Sequence, residues 1–206
     1  DYLKLPRVFD FLRVYASWAQ VSSDLDPYSI YSSYNKSVTY GSTPSVTYPA
    51  GIVNPAIQPD KSTSYEAGVS TAFANNRFSV DVTYYRIKDE NQIIDLNISE
   101  ASGFSSRKVN GNIYLTNGYE VMATAKPVVG TDFSWDMSIN WNHYAKKIDE
   151  IYGNQAKFGE LRAGDRADSY YATVWQKSKD GELILDPNSG LPIKDPYSTY
   201  IGTLEP

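Results

Sequence analysis

The sequence predicts an all-β fold, an antiparallel meander of long strands, and three observations lead to this prediction. Two stretches of the chain alternate apolar and polar side chains almost without exception. Turn-forming residues separate these stretches from similar ones, so that neighbouring strands can pair along their length. The connections between the strands alternate between short and long. Because a period of two puts each set of side chains on one face of a strand, the alternation is the strongest of the three signals.

The clearest alternation runs through residues 64–73 and 133–142, where odd positions are mostly apolar and even positions are polar or small. Aromatic residues stand at both ends of each apolar face, eight residues apart. At about 3.3 Å per residue and a tilt of about 40°, this spacing spans roughly 20 Å, close to the lipid-facing band of a transmembrane β-barrel. Such a band has an aromatic girdle at each edge. The predicted lipid-facing girdle residues are Tyr65, Phe73, Phe78, Tyr84, Phe133 and Trp141.

The opposite face of the same strands carries carboxylates, and in a membrane barrel this face lines the lumen. The predicted lumen-facing residues are Glu66, Asp81, Glu120 and Asp136. Two interpretations stay open for them. Carboxylates within a membrane span can line a solute path or anchor a plug, whereas a hydrated lumen wall tolerates charge at little cost.

The Asn75-Asn76 pair predicts a two-residue hairpin turn, because asparagine tolerates positive φ. This turn sets the register of the two strands that it joins, with Phe73 opposite Phe78 and Val69 opposite Val82. Apolar positions then meet apolar positions across the pair, and this match supports the predicted register.

Five strands are predicted, near residues 11–21, 64–74, 77–87, 117–126 and 133–142. A second short turn is predicted from Pro127 to Asp132, and the long loops cover residues 22–63, 88–116 and 143–200. The long loops all emerge at one end, as in outer-membrane barrels with short periplasmic turns and long extracellular loops. The smallest membrane barrel has about eight strands. The 206 residues are therefore expected to form one partial barrel segment, with the signal peptide and the final strands outside it.

Composition weighs against several other classes of protein. The chain has no cysteine and a single histidine, His143, which is predicted to begin a loop. These counts predict no metal site and no cofactor. They also leave a Ser-His-Asp triad without support, so no enzymatic activity is expected. The net charge of −5 argues against nucleic acid as a partner.

The last long loop holds the candidate ligand-binding residues Tyr170, Tyr171 and Trp175. Aromatic rings suit the apolar face of a sugar, but packing inside the loop is an equally good interpretation. Residues 180–190 include acidic residues that could bind calcium, but their composition also favours two hairpin turns, which are the prediction. Short strands are predicted at residues 172–175 and 182–185.

Five segments, which follow the same order along the chain as in the family, carry a resemblance to a known family. The run 53–68, VNPAIQPDKSTSYEAG, resembles the NPxLKPExSxSYExG segment of the SusC/RagA-type TonB-linked outer-membrane receptors. Residues 77–85, RFSVDVTYY, resemble the next strand of that family. The other segments are Leu12–Val21, similar to the family's LKLRASWAxVGND strand, Asn117–Val121, similar to its NxGxE strand start, and 200–202 with Pro206, similar to its YIGxPxP segment. Residues 22–24 and 159–164 depart from the family's wording. These departures lie in loops, where ligand choice is expected to vary. They therefore affect the prediction of the ligand and not the resemblance to the family.

The resemblance implies a segment of a large, plugged barrel in the bacterial outer membrane, in contact with outer-membrane lipid. Such receptors import oligosaccharides or peptides and work with a SusD-like surface lipoprotein. The TonB complex supplies energy through the plug, which lies outside this segment. The rival interpretation is a soluble β-sandwich that acts as a carbohydrate-binding module, with its two apolar faces packed on each other. A third is an isolated segment that covers its apolar face with a neighbour.

Overall fold

The computed structural model describes residues 8–28 and 30–204, and these form strands and two single-turn 3₁₀ helices. The strands, in chain order, are β1 (Phe9–Ser23), β2 (Asn35–Lys36), β3 (Val46–Thr47), β4 (Gly51–Val53), β5 (Asp60–Phe73), β6 (Phe78–Glu90), β7 (Ile93–Asn97), β8 (Ser106–Asn110), β9 (Ile113–Val129), β10 (Ser134–Glu150), β11 (Lys157–Phe158), β12 (Leu161–Arg162), β13 (Ser169–Trp175) and β14 (Lys194–Thr203). The helices cover Glu100–Ser102 and Tyr152–Asn154. Pro206, which belongs to the family resemblance, lies outside the described residues.

Strands β1, β5, β6, β9 and β10 form one antiparallel sheet in that order. The alternation between the two ends of the apolar face, rich in valine, threonine and aromatic residues, suits long pleated ladders. The prediction of an all-β antiparallel meander from a barrel is confirmed. In the described part of the chain β1 and β10 are the edges of this central sheet, so the sheet is a segment of a barrel and not a closed one.

The first hairpin turn has the predicted register. Asn75 and Asn76 both adopt a φ of 59°, as the favoured two-residue turn requires, and a backbone hydrogen bond of 3.3 Å closes the turn. Phe73 stands opposite Phe78, and the pairing continues without a shift along both strands. The expectation that apolar residues meet across this hairpin is therefore confirmed.

The second turn is not the predicted one, and the prediction of Pro127 to Asp132 was wrong. Strand β9 continues through Pro127 to Val129, and residues 130–133 link it to β10. Proline cannot donate a ladder hydrogen bond, and it is accommodated where the pairing of β9 and β10 shifts register. Reading the proline as a turn residue therefore ended the predicted strand too early.

All five central strands run further at the loop end than the alternation indicated. Strand β10 ends at Glu150, so His143 lies inside β10, opposite Tyr119, and the prediction that it begins a loop was wrong. The physical reason is that the strict alternation is lost beyond the predicted girdle, where charged residues such as Arg86 and Lys88 take positions of the apolar face. The hydropathy signal then stops, while backbone pairing continues.

The long connections carry secondary structure of their own at the loop end. Strands β4, β8 and β7 form a three-stranded sheet, in which β4 and β8 pair in parallel although they belong to different connections. The strand predicted at 172–175 lies within β13, but its partner is β14. The strand predicted at 182–185 is absent from the described structure, where this segment makes only isolated bridges.

The most deeply buried side chains also lie at the loop end. Ile148 and Val109 are 0% and 1% exposed, and Ile151 is buried too. Fully buried Asn112 accepts a hydrogen bond from the N–H of Tyr152 at 3.0 Å. This hydrogen bond joins the second and third long connections next to the end of β10.

The apolar face of the central sheet is, by contrast, open. Trp135 is 49% exposed and Val82 is 41% exposed. Within the described residues no second sheet packs on this face, since the extensive contacts of each central strand are with its neighbours in the sheet. The rival interpretation, a soluble β-sandwich, requires such a second layer, and the described structure lacks it.

Candidate functional site

One face of the central sheet, the polar face, carries the predicted lumen-facing residues. Cross-strand pairing aligns its side chains in rows, because the period of two is kept between the register shifts near the strand ends. One row consists of Tyr15, Gly68, Thr83, Glu120 and Asn142, and the next consists of Arg13, Ser70, Asp81, Met122 and Asn140. The polar face is thus a continuous surface across five strands.

Two tyrosines on the polar face lie over glycines of the neighbouring strand. The Tyr15 ring covers Gly68, and its hydroxyl lies 2.7 Å from the Thr83 hydroxyl, two strands away. Tyr85 covers Gly118 in the same way. A Cβ at either glycine would overlap the ring. Glycine is needed at these positions for the close approach of the ring.

Three of the four predicted carboxylates come together on the polar face without an ion-pair partner among the described residues. Asp81 and Glu120 line a groove of about 470 Å³, and Glu66 and Glu120 line a neighbouring one. Asp136 differs, because it pairs with Lys126 at 3.0 Å close to the second turn. The first three carboxylates are therefore open to solute or water, and Asp136 is neutralised.

The other face, the apolar face, has an aliphatic band between two lines of aromatic residues. The upper aromatic row, on the loop side, consists of Trp18, Tyr65, Tyr84, Tyr119 and Trp141, and the lower aromatic row, on the turn side, consists of Phe73, Phe78, Trp135 and Phe133. Ring centroids of Tyr84 and Tyr119 are 5.0 Å apart, and those of Phe73 and Phe78 are 5.5 Å apart. The six predicted girdle residues belong to these two rows.

Both aromatic rows run diagonally across the strands. The cross-strand row of Tyr65 reaches β10 at Ala145, but the aromatic residue of β10 is Trp141, four residues lower. Four residues along a strand are about 13 Å, and the three strand steps from β5 to β10 are about 14 Å, which gives a tilt of about 43°. The lower row has the same slope from Phe73 to Phe133. Since strands of membrane barrels tilt by about 35–45°, the two diagonals would be level rings in a bilayer.

The candidate ligand-binding aromatics of the last loop have different surroundings. Tyr171 packs edge-on against Tyr200, with ring centroids 5.6 Å apart, and its hydroxyl donates to Asp165 at 3.4 Å. Partial burial, with the Asp165 carboxylate nearby, raises the pKa of Tyr171. Tyr170 is 48% exposed and Trp175 is 45% exposed. Tyr171 is therefore a packing residue of the loop, whereas part of the ring surface of Tyr170 and of Trp175 is exposed.

The segment 180–190 forms the two predicted turns. Gly181 and Gly190 both have positive φ, and the N–H of Gly190 donates to the carbonyl of Asp186 at 2.8 Å. The Asp186 carboxylate accepts from the N–H of Asn188 at 2.7 Å. This carboxylate therefore stabilises its own turn. The described residues contain no cluster of histidine, aspartate and glutamate side chains suited to a metal ion.

Sequence reasoning missed a polar network above the upper aromatic row. Asp89 accepts hydrogen bonds from Ser62 at 2.8 Å and from Lys146 at 2.9 Å, and the Lys146 ammonium lies 5.0 Å from the Tyr114 ring centroid. These residues fall in one cross-strand region of the central sheet. The network could have been found from the alternation of faces along each strand. If β6 and β10 are extended to their observed ends, Asp89 and Lys146 fall on the polar face.

A second cluster lies on the opposite face at the same level. Glu90 accepts from Lys61 at 3.1 Å and from Lys88 at 3.0 Å. The hydrogen bond from Lys88, followed by that from Lys61, lowers the pKa of the Glu90 carboxyl. Glu90 is therefore ionised at neutral pH and holds the two ammonium groups together.

Comparison with known proteins identifies the family. The family described as "TonB dependent receptor-like, beta-barrel" has a model that matches residues 4–190. The chain belongs to this family. Over 209 aligned residues the receptor segment is 26% identical to the TonB-dependent receptor SusC of Bacteroides thetaiotaomicron, covering 89% of this chain and 21% of SusC. Over 125 residues it is 26% identical to the TonB-dependent receptor P3 of Formosa agariphila, covering 54% of this chain and 12% of that receptor.

Solved structures share the fold of the receptor segment. The RagAB peptide transporter matches with a TM-score of 0.76 at 16% identity, covering 98% of this chain and 24% of that one. The RagAB peptide importer in its open-open state matches with a TM-score of 0.73. The resemblance to SusC/RagA-type receptors is confirmed. The segment spans about a fifth of the length of SusC and belongs to the outer membrane of a Gram-negative bacterium. Nothing helical in its described part has the length and apolarity of a membrane span.

Proposed function

We propose that the intact receptor imports oligosaccharides or peptides through the outer membrane, and that this segment supplies part of the barrel wall and three outer loops. The observation that carries the proposal is the sorting of side chains on the central sheet. An open aliphatic band lies between two diagonal aromatic rows, and polar groups occupy the reverse face. Lipid on one side and a hydrated lumen on the other account for this arrangement.

In this proposal the polar face lines the solute path or meets a plug from another part of the receptor. Glu66, Asp81 and Glu120 lie in open grooves there. The Tyr15 and Tyr85 rings cover backbone next to these carboxylates. The segment's role is thus to form a wall and present side chains, and no catalytic role is proposed for it.

The loop end is proposed to meet the solute and a SusD-like surface lipoprotein. Exposed rings at Tyr170 and Trp175 are the candidate solute contacts. The TonB complex would act through a plug outside this segment. Two of the similar proteins bear names that fit this proposal, the TonB-dependent receptor SusC and the RagAB peptide transporter.

Uptake by cells that carry or lack the intact receptor tests the proposal. Labelled oligosaccharides and labelled peptides are offered separately to the wild type, a deletion strain and a complemented strain. Loss of uptake of one class on deletion, with recovery on complementation and inhibition by a protonophore, is the expected result. Unchanged uptake of both classes in the deletion strain would contradict import as the function.

The loop aromatics are tested in the same assay. The double variant Tyr170→Ala/Trp175→Ala is expected to reduce uptake at low solute concentration and to be overcome at high concentration, because stacking area for the solute is lost. Tyr171→Phe is the matched control, since Tyr171 packs inside the loop. Equal effects in both variants would remove Tyr170 and Trp175 as solute contacts.

A further inference from the structure

On the apolar face of the central sheet, basic residues replace apolar ones just above the upper aromatic row. Arg86 lies two residues beyond Tyr84 on β6, and Lys88 lies four residues beyond it. Lys61 lies four residues beyond Tyr65 on the neighbouring strand β5. All three share the parity of the lipid-facing band. Arg86, Lys88 and Lys61 are called the basic cluster.

The height of the basic cluster follows from the strand tilt. At about 3.3 Å per residue and about 43° of tilt, Arg86 stands roughly 5 Å above the aromatic row, and the lysines stand roughly 10 Å above it. The headgroup layer occupies about 5–7 Å outside the hydrocarbon core. Arg86 is therefore at headgroup level, and long lysine side chains can bend back toward that level.

An acidic residue, Glu90, lies next to the basic cluster on the side away from the membrane. Glu90, two residues beyond Lys88, binds both lysines at 3.0 and 3.1 Å. Arg86 is exposed and forms no ion pair with any described residue. The hydrogen bond to Glu90 raises the pKa of Lys88, so its ammonium keeps its charge. Asp149 and Glu150 also act on Lys88, whereas Arg86, the cation without an ion pair among the described residues, is the group of the cluster nearest the lipid.

We propose that the basic cluster binds the phosphate group of an anionic lipid in the leaflet on the loop side. Cations at headgroup height attract anionic lipid, and the guanidinium of Arg86 can hold phosphate oxygens through two hydrogen bonds. Tyr84 lies two residues below Arg86 on β6, and Tyr65 is the cross-strand partner of Arg86 on β5, so both rings border the path that the acyl chains of the same lipid would take. The inference depends on the membrane position of the segment and not on the imported solute.

Lipid binding to the full-length receptor tests the inference. The detergent-solubilised receptor is titrated with phosphatidic acid and, separately, with phosphatidylcholine, and the first binding event is followed by native mass spectrometry. The wild type is expected to prefer phosphatidic acid. Arg86→Gln is expected to weaken that binding about fivefold, and Arg86→Gln/Lys88→Gln/Lys61→Gln is expected to weaken it further.

Two further variants separate lipid binding from general effects. Lys36→Gln/Lys177→Gln/Lys179→Gln removes the same charge from exposed loop positions and is expected to leave the affinity unchanged. Glu90→Gln frees Lys61 and Lys88 and is expected to strengthen binding, which a loss of folding would not do. Equal binding of the two lipids by the wild type, unchanged affinity in Arg86→Gln, or an equal loss in the loop variant would overturn the inference.

Discussion

The central strands run through two regions that are stabilised in different ways. Between the aromatic rows the large apolar side chains are open, and Ile139 is 61% exposed. Beyond the upper row, at the loop end, Ile148 on the same strand is 0% exposed, and Val109 and Ile151 are buried as well. One strand, β10, thus carries both environments only nine residues apart.

The difference reflects the solvent expected around each region. In a bilayer, lipid covers apolar side chains, and the backbone ladder satisfies the polar groups, so the spanning region needs no protein core. Outside the bilayer, water surrounds the strands, and the chain must bury its own apolar groups. The small core at the loop end and the buried amide of Asn112 meet that need.

The largest expected effect comes from a matched pair of isoleucine truncations on β10. Ile148→Ala should lower the free energy of unfolding by about 2–5 kcal/mol, because it removes buried groups and leaves a cavity. Ile139→Ala should cost only about 1–2 kcal/mol, because lipid or detergent refills the space and only the transfer term remains. Urea unfolding of the full-length receptor in micelles measures both. A cost at Ile139 equal to that at Ile148 would remove the distinction between the two regions.

Charge insertion sharpens the contrast between the two faces of the spanning region. Val69→Arg should destabilise the folded barrel by about 2–4 kcal/mol, because the arginine enters the lipid near the midplane. Ser70→Arg, one residue along on the polar face beside Asp81, should be tolerated. Heat-modifiable gel migration and the amount of receptor in isolated outer membranes are the readouts. If Ser70→Arg were the more damaging substitution, the assignment of the faces would be reversed.

A smaller effect is expected inside the polar face. Gly118→Ala should cost about 1–3 kcal/mol, because its Cβ would overlap the Tyr85 ring and force that ring to move. In a Tyr85→Ala background the same change should cost little, since the ring is gone. A double-mutant cycle on urea unfolding in micelles gives the coupling. Additive costs would show that the ring does not constrain the glycine.

The spanning region could be predicted from sequence because lipid imposes a strict rule on each residue. Tyr65 and Phe73 mark the band edges eight residues apart, and the Asn75-Asn76 turn fixes the register of its hairpin. The assignment of faces to lumen and lipid remains a prediction for the individual residues. The Tyr15–Gly68 contact was not predicted, since it appears only when the pairing of β1 with β5 is known.

The loop end could not be predicted to the same extent. No solvent rule distinguishes the faces there, so the alternation ended near Trp141, although β10 continues to Glu150. The pairing of β4 with β8 joins Gly51 to Ser106, far apart in sequence and without a local signal. Asn112 reads as an ordinary polar loop residue, and its burial depends on this long-range packing.

The pairing of β4 with β8 limits the movement of the first and second long connections at the loop end of the sheet. The first long connection also joins the second through Asn110, whose side chain accepts from the N–H of Gln58 and donates to its carbonyl, both at 2.7 Å. Separating the two connections would break the parallel ladder and these bonds together. The two connections are therefore expected to move together as one rigid body. The hinges of this movement would lie where the chain leaves β1 and β6.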